Sequence, residues 1–242
     1  MPDISIYGSA YRPDLWMRFY DSIGSNNISF EVIFVGPNEP NFALPDNFKF
    51  IKTNVKPAQC YEIAARQTQA DLIMPVADDT VFTEEHPLDR LYEAYINYNN
   101  SKLILSCRYT LNGNDHSDTW HLFYFKDLTS LIMPLSGLMS RQLYMDIGGI
   151  DLRFVATMWD REIAMRVYAL GGMVVLSDVH LNEERAGRGG ICQEFWVHDR
   201  KLLDSFWPNV GKGGPTSRTK PVEPFTDYRI LEESQGPKGR WI

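Results

Sequence analysis

Two adjacent carboxylates, Asp78 and Asp79, follow directly on the apolar run Leu72-Ile73-Met74-Pro75-Val76. A buried strand that ends in paired carboxylates places hard oxygen donors at the carboxyl edge of a sheet, where ligands of open α/β proteins bind. Such oxygens suit Mg²⁺ or Mn²⁺, which commonly bind through one or two carboxylates together with substrate phosphates. The competing reading is a capped strand end, since Asp is frequent in turns. A third carboxylate, Asp160, stands in the first turn of a segment with helical character, Trp159-Asp160-Arg161-Glu162-Ile163-Ala164-Met165-Arg166. There it is placed either to take a proton or only to offset the helix dipole.

The elements that must position these groups alternate between strand and helix. Ile4-Ser5-Ile6-Tyr7 reads as a first strand, and Pro13 opens a helix in which Leu15, Trp16, Phe19 and Ile23 recur at helical spacing up to Gly24. Strands are predicted over Phe30–Val35, Phe48–Ile51, Leu72–Val76 and Leu103–Cys107, with helices from Pro57 to Gln67 and around Leu88–Ile96. The pattern is that of an α/β fold with a mainly parallel, Rossmann-like nucleotide-binding sheet covered by helices. In the second half, Trp120–Phe125 is an aromatic strand candidate that lines either a cleft or the core. A short helix follows over Arg141–Asp146, and Ile147-Gly148-Gly149-Ile150-Asp151 forces a tight turn. After the Asp160 helix, Met173–Leu176 reads as a late strand. From Gly211 the chain turns to Gly, Pro and charge, so residues 1–208 are expected to form the domain and 209–242 a tail, with Phe225, Tyr228 and Trp241 as possible anchors.

With 242 residues, 44% of them hydrophobic, the chain can bury one sizeable core. A formal charge of −7 disfavours nucleic acid as a partner. The three cysteines, Cys60, Cys107 and Cys192, are odd in number and widely spaced, as for reduced packing residues in a cytoplasmic protein. No apolar stretch reaches the roughly 20 residues of a membrane span, and the N-terminus lacks a signal-peptide core. These features lead to the expectation of a cytoplasmic protein with no transmembrane segment.

Over Ile4 to Pro208 the sequence resembles the family-2 glycosyltransferases of GT-A fold. Ser9-Ala10-Tyr11-Arg12-Pro13 is similar to the family's opening nucleotide loop, and Thr68 to Asp79 to the segment that leads into its "DXD" motif. Ile147–Asp151 resembles the "VGGFD" turn of the acceptor half, and Asp160–Arg166 the end of the "ED-x-D-L-x-x-R" helix. Asp199–Trp207 is similar to a frequent terminal "DR-x-L-F-x-x-K-W". The resemblance implies a single GT-A-type domain with a smaller acceptor-side region. Its expected activity is inverting transfer of a sugar from a nucleotide-sugar donor to a glycan or other hydroxyl acceptor, assisted by Mn²⁺ or Mg²⁺.

Residue by residue, the resemblance implies that Ser9, Ala10, Tyr11, Arg12 and Asp78 bind the donor and that Asp79 binds the metal. Asp160 would be the general base, and Gly149, Asp151, Trp159 and Glu162 would lie on the acceptor side. His180, placed after the late strand, is a further metal-ligand candidate, the alternative being a structural histidine, and Arg185 and Arg188 are candidates to close over the diphosphate. Three departures bear on this. Ala77 stands where the motif often begins with Asp, Gly36 where an Asp often reads uracil, and Trp159 where a Glu usually precedes the catalytic Asp. The base and sugar of the donor therefore stay open. A catalytically silent nucleotide- or glycan-binding module is the main alternative, ahead of a sugar nucleotidyltransferase, whose phosphate loop is normally richer in glycine than Gly8–Pro13.

Overall fold

The computed structural model describes residues 1–115, 132–183, 191–208 and 218–224. The expected alternation is present: β1 (Ile4–Ser9), α1 (Pro13–Ile23), β2 (Phe30–Gly36), β3 (Phe48–Lys52), α2 (Pro57–Gln67), β4 (Leu72–Ala77) and β5 (Thr80–Phe82). There follow α3 (Pro87–Tyr98), β6 (Leu103–Leu111), β7 (Asn114–Asp115), β8 (Gly137–Ser140), α4 (Arg141–Asp146), α5 (Trp159–Ala169), β9 (Met173–Glu183) and α6 (Ile191–Phe206). Proline opens α1, α2 and α3, where its missing N–H costs nothing.

The strands join one sheet in the order β3-β2-β1-β4-β8-β6-β9-β5, with β7 paired to β6. Its first four strands are parallel. β8 then runs antiparallel between β4 and β6, β9 is parallel to β6, and β5 closes the edge antiparallel to β9. The chain passes from β4 to β5 through Asp78 and Asp79 alone, a reach of about 11 Å at 3.8 Å per Cα step. Four strand spacings in a flat sheet would need about 19 Å. The sheet therefore curls back on itself, and the two carboxylates occupy the corner where it closes.

Both faces are buried. α1 and α3 seal one side with Trp16, Phe19, Ile23, Leu88 and Leu91 against Ile4, Ile6, Val32, Phe34 and Leu105. The other side packs α2, α4 and α5 against Tyr7, Ile33, Val35 and Ile73. Burial on both faces is why the strands read as unbroken apolar runs.

Several elements differ from the sequence reading, which did not anticipate β5, β7 or α6. β6 runs on to Leu111, Gly137–Ser140 is a strand where only an approach to α4 was expected, and β9 continues to Glu183, so that His180 lies inside it. In β9, Val179 and Leu181 are buried while Asp178 faces solvent, a two-residue alternation that extends the strand beyond its apolar start. Trp120–Phe125 lies outside the described residues. Beyond Pro208, the described stretch 218–224 lies against the domain: the Thr219 amide donates to the Phe206 carbonyl and the Leu152 amide to that of Glu223, each at 2.9 Å. Cys60 and Cys107 are buried free thiols, as expected of packing residues. No helix among the described residues is long and apolar enough to cross a membrane.

Candidate active site

Sheet register assembles the first half of the site. Ser9 pairs with both Val35 and Ala77, so the residues after β1 emerge beside those after β4. Asp78 Oδ2 accepts the backbone N–H groups of Tyr11 at 2.6 Å and Arg12 at 2.7 Å, which fixes the loop at the entrance to α1. Arg12 Nη2 then bridges the pair, 2.6 Å from Asp78 Oδ1 and 2.8 Å from Asp79 Oδ2. The two carboxylates are nearly sealed, while the Arg12 side chain keeps 43% of its surface exposed. Burial, reinforced by the charge of Glu183, raises the Asp79 pKa to about 6 against the pull of Arg12. Asp78 and Asp79 hold the guanidinium firmly charged despite its partial burial.

Gly36 is explained by the same loop. A Cβ there would come 1.7 Å from the Ala10 carbonyl oxygen, so no side chain fits, and the aspartate that the resemblance looks for has no room. Lys56, just beyond β3 at the same edge, was missed by sequence reasoning. Its buried ammonium has no hydrogen-bond partner among the described residues, and burial lowers its pKa. An isolated lysine before a proline carries no signal that would have singled it out.

Asp160 forms the second half. It lies in a pocket whose walls include Tyr7, Pro75, Ile104, Met139, Trp159 and Ile163. Its Oδ1 accepts the Arg161 amide at 2.8 Å, and burial among these walls raises its pKa above the usual Asp value. Pro75 belongs to β4, three residues ahead of Asp78, so this pocket and the carboxylate corner share a strand. Tyr61, also missed by sequence reasoning, joins them: its hydroxyl donates to the Val76 carbonyl at 3.0 Å, and its ring lies 4.6 Å from that of Trp159. The loop before α5 is set by Asp199, whose carboxylate accepts the amides of Val155, Ala156 and Thr157. This accounts for the first residue of the terminal motif.

The other acceptor-side residues are brought near Asp160 as framework. Asp151 and Glu162 are fully buried. Asp151 is bonded by Arg153 and, at 2.6 Å, by Arg218, while Glu162 lies 2.7 Å from Arg166 and accepts from Arg218 at 2.7 Å. Gly149 has φ +66°, and a Cβ on it would come within 2.6 Å of the Glu62 carboxylate. Arg166 donates to the Gly149 carbonyl at 2.6 Å and so holds the turn. His180 lies apart from the corner, with Nδ1 2.6 Å from Glu84 Oε1, whereas Glu183, beside Thr80 in register, lies next to Asp79. Arg185 and Arg188 lie outside the described residues, as do Phe225, Tyr228 and Trp241.

Among the described residues, no group of three or more His, Cys, Asp or Glu is arranged to hold a metal. With Arg12 in place, the point between Asp78 and Asp79 is filled by a guanidinium nitrogen. With that side chain turned outward, the pair offers the one or two carboxylates that Mg²⁺ or Mn²⁺ takes beside substrate phosphates. The donor chemistry thus fits an ion that arrives with a diphosphate.

The curled sheet, its helical layers and the carboxylate corner define a GT-A-like glycosyltransferase fold. The chain is similar to S. aureus TarS 1–349, at 12% identity and TM-score 0.57 over 83% of this chain and 64% of that one. It is likewise similar to that protein in complex with UDP-GlcNAc (13%, TM-score 0.56, 83% and 65%) and with UDP (14%, TM-score 0.56, 83% and 64%). It therefore spans less than two thirds of those chains. No protein-family model and no curated protein matches the sequence.

Proposed function

We propose that the chain is an inverting glycosyltransferase that moves a sugar from a nucleoside-diphosphate donor to an acceptor hydroxyl, with Asp160 as general base. The acceptor oxygen attacks the anomeric carbon and its proton passes to Asp160. The bond from that carbon to the phosphate oxygen breaks, and the nucleoside diphosphate leaves with the electron pair. The observation that carries this reading is the placement of Asp160: a carboxylate with a raised proton affinity, in an apolar-walled pocket that shares β4 with the Asp78–Asp79 corner. A base held above the ordinary Asp range accepts a proton more readily.

Donor binding is assigned to the loop Ser9–Arg12 and Asp78, and the metal to Asp79 with assistance from Asp78. Mn²⁺ or Mg²⁺, when bound, would neutralise charge on the departing diphosphate. The similar protein's complexes with UDP and UDP-GlcNAc support a uridine diphosphate donor and a hexosyl-type transfer. The acceptor is assigned as a glycan or another molecule that presents a hydroxyl.

Thermal shift and calorimetry with UDP, GDP, CDP and TDP, each with Mn²⁺ or chelator, test the assignment. UDP is expected to bind with Mn²⁺ and to stabilise the protein, by about 2.7 kcal/mol at a hundred times its dissociation constant. Binding of none of the four contradicts the reading, and binding without turnover of any nucleotide sugar would identify a silent module.

A further inference from the structure

We infer that Arg12 is a displaceable counter-ion of the Asp78–Asp79 pair, which shuts out a free divalent cation until a nucleoside diphosphate draws the guanidinium away. The inference rests on the donor-site reading above and extends it to the order in which the site fills.

The Asp78 carboxylate divides its work. Oδ2 holds the loop through two backbone N–H groups, and only Oδ1 holds the Arg12 side chain. The loop therefore keeps its anchor when the side chain leaves. Arg12 is attached to both carboxylates through one nitrogen, Nη2. A guanidinium has five N–H donors in a rigid fork. Two are spent on Nη2, while Nε and Nη1 make no hydrogen bond or ion pair with another described residue, and the side chain is 43% exposed. Nε and Nη1 can each donate singly to a phosphate oxygen, and once Nη2 leaves the carboxylates either edge of the guanidinium offers the paired donors that a phosphate takes in bidentate fashion.

The charge count gives the direction of exchange. Among the described residues, Asp78 and Asp79 bring two nearly sealed carboxylates to the one guanidinium of Arg12. A divalent ion would suit the corner better than a guanidinium, yet with Arg12 seated it must displace two short contacts and leave that cation without a partner. A diphosphate supplies the partner. Arg12 on the phosphates and an ion on the carboxylates then exchange places, and the two ligands bind cooperatively through one side chain.

Titration of the full chain with Mn²⁺ alone, followed by electron paramagnetic resonance, and then with UDP present, tests this in the parent, Arg12→Met and Arg12→Lys, with thermal melting to confirm that each is folded. Arg12→Met is expected to bind Mn²⁺ without nucleotide at least ten-fold more tightly than the parent, with Arg12→Lys between them. UDP should raise the Mn²⁺ affinity of the parent more than that of Arg12→Met. Equal Mn²⁺ affinity in all three proteins without nucleotide overturns the inference, and so does coupling to UDP that is the same in parent and Arg12→Met. If UDP binds to none of them, the donor reading fails, while the titrations with Mn²⁺ alone still decide whether Arg12 guards the pair.

Discussion

The corner at Asp78–Asp79 and the frame around Asp151–Glu162 are built from the same chemistry, carboxylates bridged by arginine, and differ in how much of the arginine reaches water. Around Asp151 and Glu162, Arg218 is only 10% exposed, stacks 4.1 Å over the Phe206 ring and bonds both carboxylates. At the corner Arg12 is 43% exposed and is tied by one nitrogen. A sealed network of this kind holds a backbone in place, here the Gly148-Gly149 turn and the start of α5. A network whose cation keeps donors in water is available to an anion. On α5, Glu162 belongs to the sealed network, while Asp160 lies outside both and lines the apolar-walled pocket.

The largest expected effect breaks the comparison at Arg218. Arg218→Met leaves two buried carboxylates short of a partner and should cost about 3–5 kcal/mol of stability. Arg12→Met also leaves two nearly sealed carboxylates without their cation, but water can enter where the half-exposed side chain stood and Asp79 can take up a proton, so it should cost less, about 1–2 kcal/mol. Urea unfolding of both variants measures the contrast, and equal losses would erase it.

A smaller effect sharpens the account of the corner. Asp79 has a folded pKa near 6, above the usual 3.8, so its protonation favours the folded state. That contribution is fully present below about pH 3.8 and is lost as pH rises through about 6. The stability of the parent minus that of Asp79→Asn should therefore fall by about 1–3 kcal/mol between pH 4 and pH 7. A difference that stays flat or grows over this range would show that burial and Glu183 do not govern Asp79.

Much of the fold was legible because its signals are local. Apolar runs mark the doubly covered strands β1, β2 and β4, and Pro13 and Pro57 mark two helix starts. The position of Asp78 and Asp79 at a strand end, and of Asp160 at a helix start, could be read in the same way. What the sequence hid is pairing over distance. Arg12 meets Asp78 across 66 residues, His180 meets Glu84 across 96, and Arg218 reaches Asp151 from 67 residues away. No periodicity encodes such contacts. The Gly- and Pro-rich character of the last segment concealed an arginine, Arg218, that belongs to the frame of α5. The glycine at position 36 was visible as a departure, but its cause, the close approach of the Ala10 carbonyl, exists only in the folded chain.

The central claim is that Asp160 takes the acceptor's proton while the corner of the sheet holds the donor. Its most direct test is the turnover of the nucleotide sugar selected by diphosphate binding, followed as release of nucleoside diphosphate, in the parent and in Asp160→Asn, with UDP affinity measured alongside. The account predicts that kcat falls by about 10²–10⁴-fold and that the dissociation constant for UDP is unchanged within a factor of about two. Near-parental turnover in Asp160→Asn would contradict it.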